Sequence, residues 1–194
     1  IIVSFFPLTA KAATLSATDD NGVFWTYTVT NDEATITYCG KDSGNLIIPS
    51  TLNEYQVTGL TAKLFYKYTK LLTVTIPDTV TTIGDYAFSG CTKLTSVVFS
   101  SNLKTIGREA FYGCTSLTSV ELPNSVTDMG YATFASCTNL TSAKLSENLK
   151  NIDGTFSDCT KLNSVTIPNG VASIGNRAFI NCYKITEITI PDSV

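Results

Sequence analysis

An α/β repeat solenoid, closed at its N-terminal end by a β-hairpin, is the fold class this sequence predicts. Three observations carry it. The stretch Ile76 to Val98, IPDTVTTIGDYAFSGCTKLTSVV, returns in edited form at 99–121, 122–144, 145–166 and 167–189, and IPDSV opens a further copy. The period is 23 residues, with one copy of 22, and a fixed period of this size marks stacked repeats. Each copy also ends in a short run with period-two alternation, the pattern of a half-buried strand. Finally, Gly22 to Tyr38, GVFWTYTVTNDEATITY, places two β-branched and aromatic runs around Asn31-Asp32-Glu33, which reads as a hairpin.

Taken from the beginning, Ile1 to Leu8 is an apolar run followed by Thr9-Ala10-Lys11-Ala12. Ala10-Lys11-Ala12 has the small-residue pattern of a signal-peptide cleavage site, so residues 1–12 read as the remnant of a secretory leader. The competing reading is an apolar first strand, which Pro7 and the alanines disfavour. Residues 13–22 are small and polar and read as a leader or turn. Strands are expected near 23–29 and 34–39. A repeat array needs a distinct end, because its first repeat otherwise exposes an apolar face. Residues 13–47 are therefore assigned as an N-terminal hairpin cap and residues 48–194 as the repeats. The first repeat, 48–75, is longer by five residues around Asn53-Glu54-Tyr55-Gln56, which reads as a loop insertion.

Within the repeats, Val97 and Phe99 alternate with outward residues, as do Val74/Ile76, Val120/Leu122, Ala143/Leu145, Val165/Ile167 and Ile188/Ile190. Strands of successive repeats should pair in parallel. Pro77, Pro123, Pro168 and Pro191 follow them, where proline ends a strand without removing a donor from its middle. Gly84, Gly107, Gly130 and Gly175 recur at one position, which implies a backbone conformation or close approach that a side chain would spoil. Asp153 replaces this glycine in the 22-residue copy, and a local distortion is expected there. The segment Asp85–Gly90 is too short for a free helix and reads as one or two helical turns held by packing. Phe88, Phe111, Phe134, Phe156 and Phe179 should stack as an internal column.

Composition narrows the function. Thirteen basic and sixteen acidic residues give a net charge of −3, which argues against a nucleic-acid groove. No internal apolar run is long enough to cross a bilayer. The absence of histidine removes the usual general base and the Ser-His and Cys-His pairs, so no enzymatic activity is expected within this segment. Five of the six cysteines, Cys91, Cys114, Cys137, Cys159 and Cys182, occupy one repeat position. Stacked repeats would set them about 4.8 Å apart but pointing the same way. A reduced internal ladder is favoured over disulfides or a metal site, for there is no C-x-x-C and no His to make one. Cys39, at the hairpin's end, is expected to be unpaired. No cofactor and no metal are called for.

The pattern IPxxVxxIGxxAFxxCxxLxxV resembles the BspA-type, or Treponema pallidum-type, leucine-rich repeat. It stands nearly intact at 76–98 and 167–189 and more loosely between, and the resemblance covers residues 48–194. It implies a curved solenoid with a parallel sheet on the concave side and the short turns on the convex side. It also implies a secreted or cell-surface protein, of a family whose members are often described as adhesins. On the concave strand face the outward positions are Thr73, Thr75, Ser96, Val98, Ser119, Glu121, Ser142, Lys144, Ser164, Thr166, Glu187 and Thr189. They read either as a solvated β surface or as a broad ligand-binding face, with Lys144 beside Glu121 as a cross-strand ion pair. Tyr66, Tyr86, Tyr112, Tyr131 and Tyr183 form an alternative, outer face. The resemblance thus implies a non-enzymatic, adhesin-like module with an unidentified protein or glycan partner on a host or neighbouring cell. A structural spacer, or the targeting domain of a larger secreted enzyme, are the alternatives. Neither nucleic acid nor membrane insertion is expected.

Overall fold

The computed structural model of the chain describes residues 13–194, and the proposed leader and its cleavage site lie outside the described residues. The first departure from expectation comes at once. Residues 13–18, read as a leader or turn, form strand β1 (Ala13–Thr18), antiparallel along its whole length to β2 (Phe24–Thr30). Leu15 and Ala17 of β1 pack on the core. Small side chains hid this strand, because its order comes from the ladder of β2 rather than from its own propensity. Asp19 closes the connecting turn. Its Oδ1 accepts from the amides of Asn21 and Val23, and its Oδ2 accepts from the indole N–H of Trp25 at 2.9 Å.

The expected hairpin is present. β2 pairs antiparallel with β3 (Glu33–Cys39). Asn31 and Asp32 between them both adopt positive φ, 51° and 61°, as a tight hairpin turn requires. Trp25, Tyr27, Ala34 and Ile36 are fully buried. β4 (Ser43–Ile47) follows. The five-residue insertion is not a loop: β5 (Thr51–Leu52) and β6 (Tyr55–Leu60) form a second tight hairpin, with Asn53 at φ 53°. β3 pairs in parallel with β6, and β4 pairs in parallel with β7 (Lys70–Thr75). Residues 33–47 thereby lie in the same two stacks as the coils that follow.

Each later coil contributes one strand to each stack. In chain order these are β8 (Thr82–Ile83), β9 (Ser96–Val98), β10 (Thr105–Ile106), β11 (Ser119–Glu121), β12 (Asp128–Met129), β13 (Ser142–Lys144), β14 (Asn151–Ile152), β15 (Ser164–Thr166) and β16 (Ser173–Ile174). One stack runs β4-β7-β9 and then β11-β13-β15. The other runs β6-β8-β10-β12 and then β14-β16. All repeat strands pair in parallel with residues one repeat apart in register.

The third side of each coil was expected to be helical, and among the described residues it contains no helix. Two residues per coil take left-handed φ there: Tyr86 at 58° and Gly90 at 76°, Glu109 at 51° and Gly113 at 67°, Ala132 at 56° and Ser136 at 59°. A right-handed helical turn cannot run through them. Alternate amides point sideways instead. Tyr86, Phe88 and Gly90 donate to the carbonyls of Arg108, Ala110 and Tyr112 in the next coil, and Glu109, Phe111 and Gly113 donate to Tyr131, Thr133 and Ala135. The turn side is thus an inter-coil ladder, and the molecule is a β-solenoid with parallel stacks.

Inside, Phe88, Phe111, Phe134, Phe156 and Phe179 form the expected column and Phe65 extends it by one ring; from Phe65 onward the centroids are 4.8, 5.0, 5.3, 6.2 and 5.7 Å apart. The widest gap, Phe134–Phe156, falls at the 22-residue copy. The second stack breaks there too, between β12 and β14. That is the distortion anticipated from Asp153. The recurrent glycines mark close approach: a Cβ on Gly84 or Gly107 would meet the backbone nitrogen of Ala62 or Asp85 at 2.5 Å, and Gly130 stands equally tight against Arg108.

Candidate functional site

The outward residues of the first stack form two columns, because the parallel register is one repeat. Thr73 faces Ser96, and Ser119, Ser142 and Ser164 face one another. Thr75 faces Val98, and Glu121, Lys144 and Thr166 face one another. Alternation along each strand places these side chains opposite the buried Val74, Val120 and Ala143. Thr73 and Ser142 are half-buried, and the other ten sequence-predicted positions are exposed. Glu187 and Thr189, expected on a strand, lie in none. A groove lined by Val165, Thr166, Glu187 and Thr189 separates their segment from β15.

The expected ion pair is formed. Lys144 Nζ donates to Glu121 Oε1 at 2.7 Å, with both side chains largely exposed. Hydrogen bonding to this carboxylate and its charge raise the pKa of the Lys144 ammonium. An exposed pair of this kind positions side chains more than it stabilises the fold.

Asn45 and Ile47 were missed. They lie opposite Thr73 and Thr75 and extend both columns by one strand. Ile47 and Val98 are each 59% exposed, so Thr75 stands between two outward aliphatic residues. The signal was available, since Ile48-Pro49 matches Ile76-Pro77 and places Ile47 at the position of Thr75. The ladder stops between β9 and β11. A depression of about 540 Å³ opens there, lined by Val97, Val98, Phe99, Glu121, Leu122, Pro123 and Lys144 among others. Phe99 stands where other copies carry Ile or Leu, and its ring meets Phe111 edge-on at 5.6 Å.

The cysteine ladder is reduced and internal. All six thiols are free and buried. Sγ of Cys91, Cys114, Cys137, Cys159 and Cys182 each donates to the carbonyl of the column phenylalanine one coil back, at 3.1, 3.3, 3.3, 3.2 and 3.0 Å. Burial pushes the Cys91 and Cys137 thiols up to about 12, so both stay protonated, and weakly nucleophilic, at neutral pH. Among the described residues no cluster of His, Cys, Asp and Glu is placed to hold a metal ion.

On the turn side, Tyr66, Tyr112, Tyr131 and Tyr183 are exposed and Tyr86 is half-buried. Lys67 Nζ lies 5.1 Å from the Tyr66 ring centroid, Lys63 Nζ 5.7 Å from that of Tyr86, and Arg108 Cζ 5.8 Å from that of Tyr131. Tyr66, Tyr86 and Tyr131 thus each carry a cation near the ring.

These features agree with the comparisons to known proteins. The BspA type leucine rich repeat region matches residues 58–155 and 153–194, in six copies. The crystal structure of a leucine rich repeat protein of T. pallidum is similar over 88% of this chain and 91% of its own, with 30% identity and a TM-score of 0.69. A leucine rich cell surface protein of Faecalibacterium prausnitzii is similar over 91% of this chain, with 30% identity and a TM-score of 0.77. A leucine-rich repeat protein of Bacteroides ovatus is similar over 88%, with 26% identity and a TM-score of 0.65. The chain spans 55% and 52% of the lengths of these last two. No curated protein matches it. With the repeat, the parallel stacks and the family match in agreement, the chain belongs to the BspA type leucine rich repeat family.

Proposed function

We propose that this chain is a non-enzymatic, exported interaction module, adhesin-like, that binds a protein or glycan of a host or neighbouring cell through its strand face. The observation that carries the reading is the contrast between the two sides of each strand. The inward positions hold only apolar residues, whereas the outward column runs Ile47, Thr75, Val98 in register and then, past the break in the ladder, Glu121, Lys144, Thr166 in register. A packing role alone does not call for aliphatic, hydroxyl and charged groups in one exposed row. An extended solenoid face is a common recognition surface, and the similar F. prausnitzii protein is described as a cell surface protein. Residues 1–12 are proposed as the leader of an exported protein and residues 13–47 as the end cap. Cys and carboxylate chemistry offers no competing catalytic reading.

The test is binding of the purified chain to immobilised matrix proteins and glycans, with the wild type set beside a Glu121→Lys, Lys144→Glu exchange. The exchange keeps the ion pair and net charge but reverses the local pattern. Specific binding that weakens supports the strand face. Binding to none of the panel, or binding untouched by the exchange, counts against it. The spacer reading has one observation in its favour. Thr95 and Thr141, flanking the face, donate their hydroxyls to the carbonyls of Leu72 and Thr118 one coil back, which spends polar groups on stacking rather than on a ligand.

A further inference from the structure

The strand face is not the only feature that the repeat leaves uneven. Position by position, the turn side changes charge along the array. The first coil's turn, residues 61–71, carries Lys63, Lys67 and Lys70 and no acidic residue. The corresponding turn of the fifth coil, 152–162, carries Asp153 and Asp158 with a single Lys161. Lys93 adds a fourth cation, one repeat after Lys70 and so stacked on it. Four of the chain's thirteen basic residues thus gather on two adjacent turns, with Asp85 as their one acidic residue, in a protein whose net charge is −3.

Three structural facts make this more than composition. All four lysines are exposed, and none has a carboxylate within salt-bridge distance among the described residues. Lys67 occupies a left-handed position, φ 60°, where the next two coils carry Gly90 and Gly113. A non-glycine side chain is disfavoured there, and the lysine stem is laid against the next coil, its Cγ 3.1 Å from where a Cβ on Gly90 would stand. Lys67 and Lys70 also line one depression of about 380 Å³ with Asp42, Tyr66, Tyr68 and Thr69. Tyr66 is 41% exposed with Lys67 Nζ above its ring.

We infer that the Lys63–Lys67–Lys70–Lys93 patch, with Tyr66, is a binding surface for an anionic polysaccharide bearing sulfate or carboxylate groups. Ammonium groups on flexible stems suit point anions repeated along a chain. The Tyr66 ring beside Lys67 keeps exposed apolar surface for a sugar's C–H groups. Duplex nucleic acid fits less well, because the patch has no arginine and the molecule as a whole is acidic. A bilayer fits less well, because Tyr66 is the only exposed aromatic that the depression presents.

Lys63 and Lys67 stand on the turn side and Lys70 opens β7, while Glu121 and Lys144 lie on β11 and β13, so separate variants test the two readings. The experiment titrates the chain with heparin as the probe, with neutral dextran, anionic phosphatidylserine vesicles and a DNA duplex as comparisons. Each is repeated for K63Q/K67Q/K70Q and for E121Q/K144Q. The expected result is heparin binding that weakens roughly tenfold or more in the triple variant and stays unchanged in the strand-face variant. The dependence of log K on log salt should flatten by about one for each contacting lysine lost. Heparin binding equal in the triple variant and the wild type overturns the proposal. So does preferential binding of the vesicles or the duplex, or equal binding of dextran. All three lysines are exposed, so a folding defect is not expected; an unchanged denaturant midpoint confirms that the variant reports on binding.

Discussion

The thiol of Cys114 donates to the carbonyl oxygen of Phe88, 3.3 Å away in the preceding coil. That carbonyl already accepts from the amide of Cys91, so it bonds within its own coil and across to the next. The same bond recurs at each coil, which accounts for cysteine at this position better than hydrophobicity alone. A small side chain that fills the space and still donates weakly serves both needs.

The ladder makes stability sensitive to alkali. Burial raises the Cys91 and Cys137 thiols to about 12 and Cys39 and Cys182 to about 11, and it raises Cys114 as well. An unfolded thiol ionises near 8.5. Above that pH the unfolded state sheds protons that the folded state keeps, so unfolding becomes easier as pH rises. The stability is fully present below about pH 8.5 and falls toward pH 12, by up to about 1.4 kcal/mol per pH unit for each such thiol. Denaturant melts of the wild type and Cys137→Ala between pH 8 and 11 isolate one thiol. The variant's loss of stability with pH should be shallower by about that amount, and parallel lines would remove the buried-thiol explanation. In the native state at pH 8, none of the five ladder thiols should react with a thiol reagent, and all six should react in denaturant.

The phenylalanine column sets the size of the core term. Phe134 is fully buried between Phe111 at 5.3 Å and Phe156 at 6.2 Å. Phe134→Ala should cost about 3–5 kcal/mol, from lost burial and a cavity that rigid coils cannot collapse. A change below about 1 kcal/mol in a denaturant melt would mean that the column does not hold the coils together.

The sequence exposed this column, the parallel strands and the Glu121–Lys144 pair because each rests on one residue per period. Repetition turns a weak local signal into a strong one. The turn side was misread because its left-handed residues are Tyr86, Glu109, Ala132 and Arg177, types that ordinarily avoid that conformation. Only Gly90, Gly113 and Asn181 hinted at it. What holds those residues is the ladder to the next coil, a non-local term that no short window reveals. β1 was missed for the same reason. The lysine patch was overlooked because net charge averages over turns that differ from coil to coil.

The recurrent glycines and the positive-φ glycines should respond differently to alanine. A Cβ at Gly130 would drive into the backbone of Arg108, which cannot move without shifting a coil. At Gly113 nothing lies within 4 Å, but φ is +67°. Gly113→Ala should cost about 1–2 kcal/mol for the left-handed conformation. Gly130→Ala should exceed that and alter the inter-coil ladder, since overpacking costs about 1–3 kcal/mol even where neighbours can give way. Urea midpoints of the two variants compare them directly, and a milder effect at Gly130 would contradict the close approach.

The 22-residue copy offers the reverse case, a change that should stabilise. Thr133 and Thr155 hold the position that is Ala87, Ala110 and Ala178 in other coils. Both are buried, but their hydroxyls differ. Thr133 Oγ1 donates to the Gly130 carbonyl at 2.7 Å, whereas Thr155 Oγ1 has no partner among the described residues. Gly130 supplies that acceptor in its coil, and the shortened coil has Asp153 and a one-residue-shorter path to Phe156 instead. A buried hydroxyl without a partner costs about 1–3 kcal/mol, and replacing it with a methyl group of similar shape removes the cost. Thr155→Val should therefore raise stability by about 1 kcal/mol or more. Thr133→Val, which deletes a formed bond at the equivalent site, should lower it by about 1 kcal/mol. Thermal or urea melts of the two variants give opposite signs if the shortened coil is strained in this way, and the same sign for both would show that it is not.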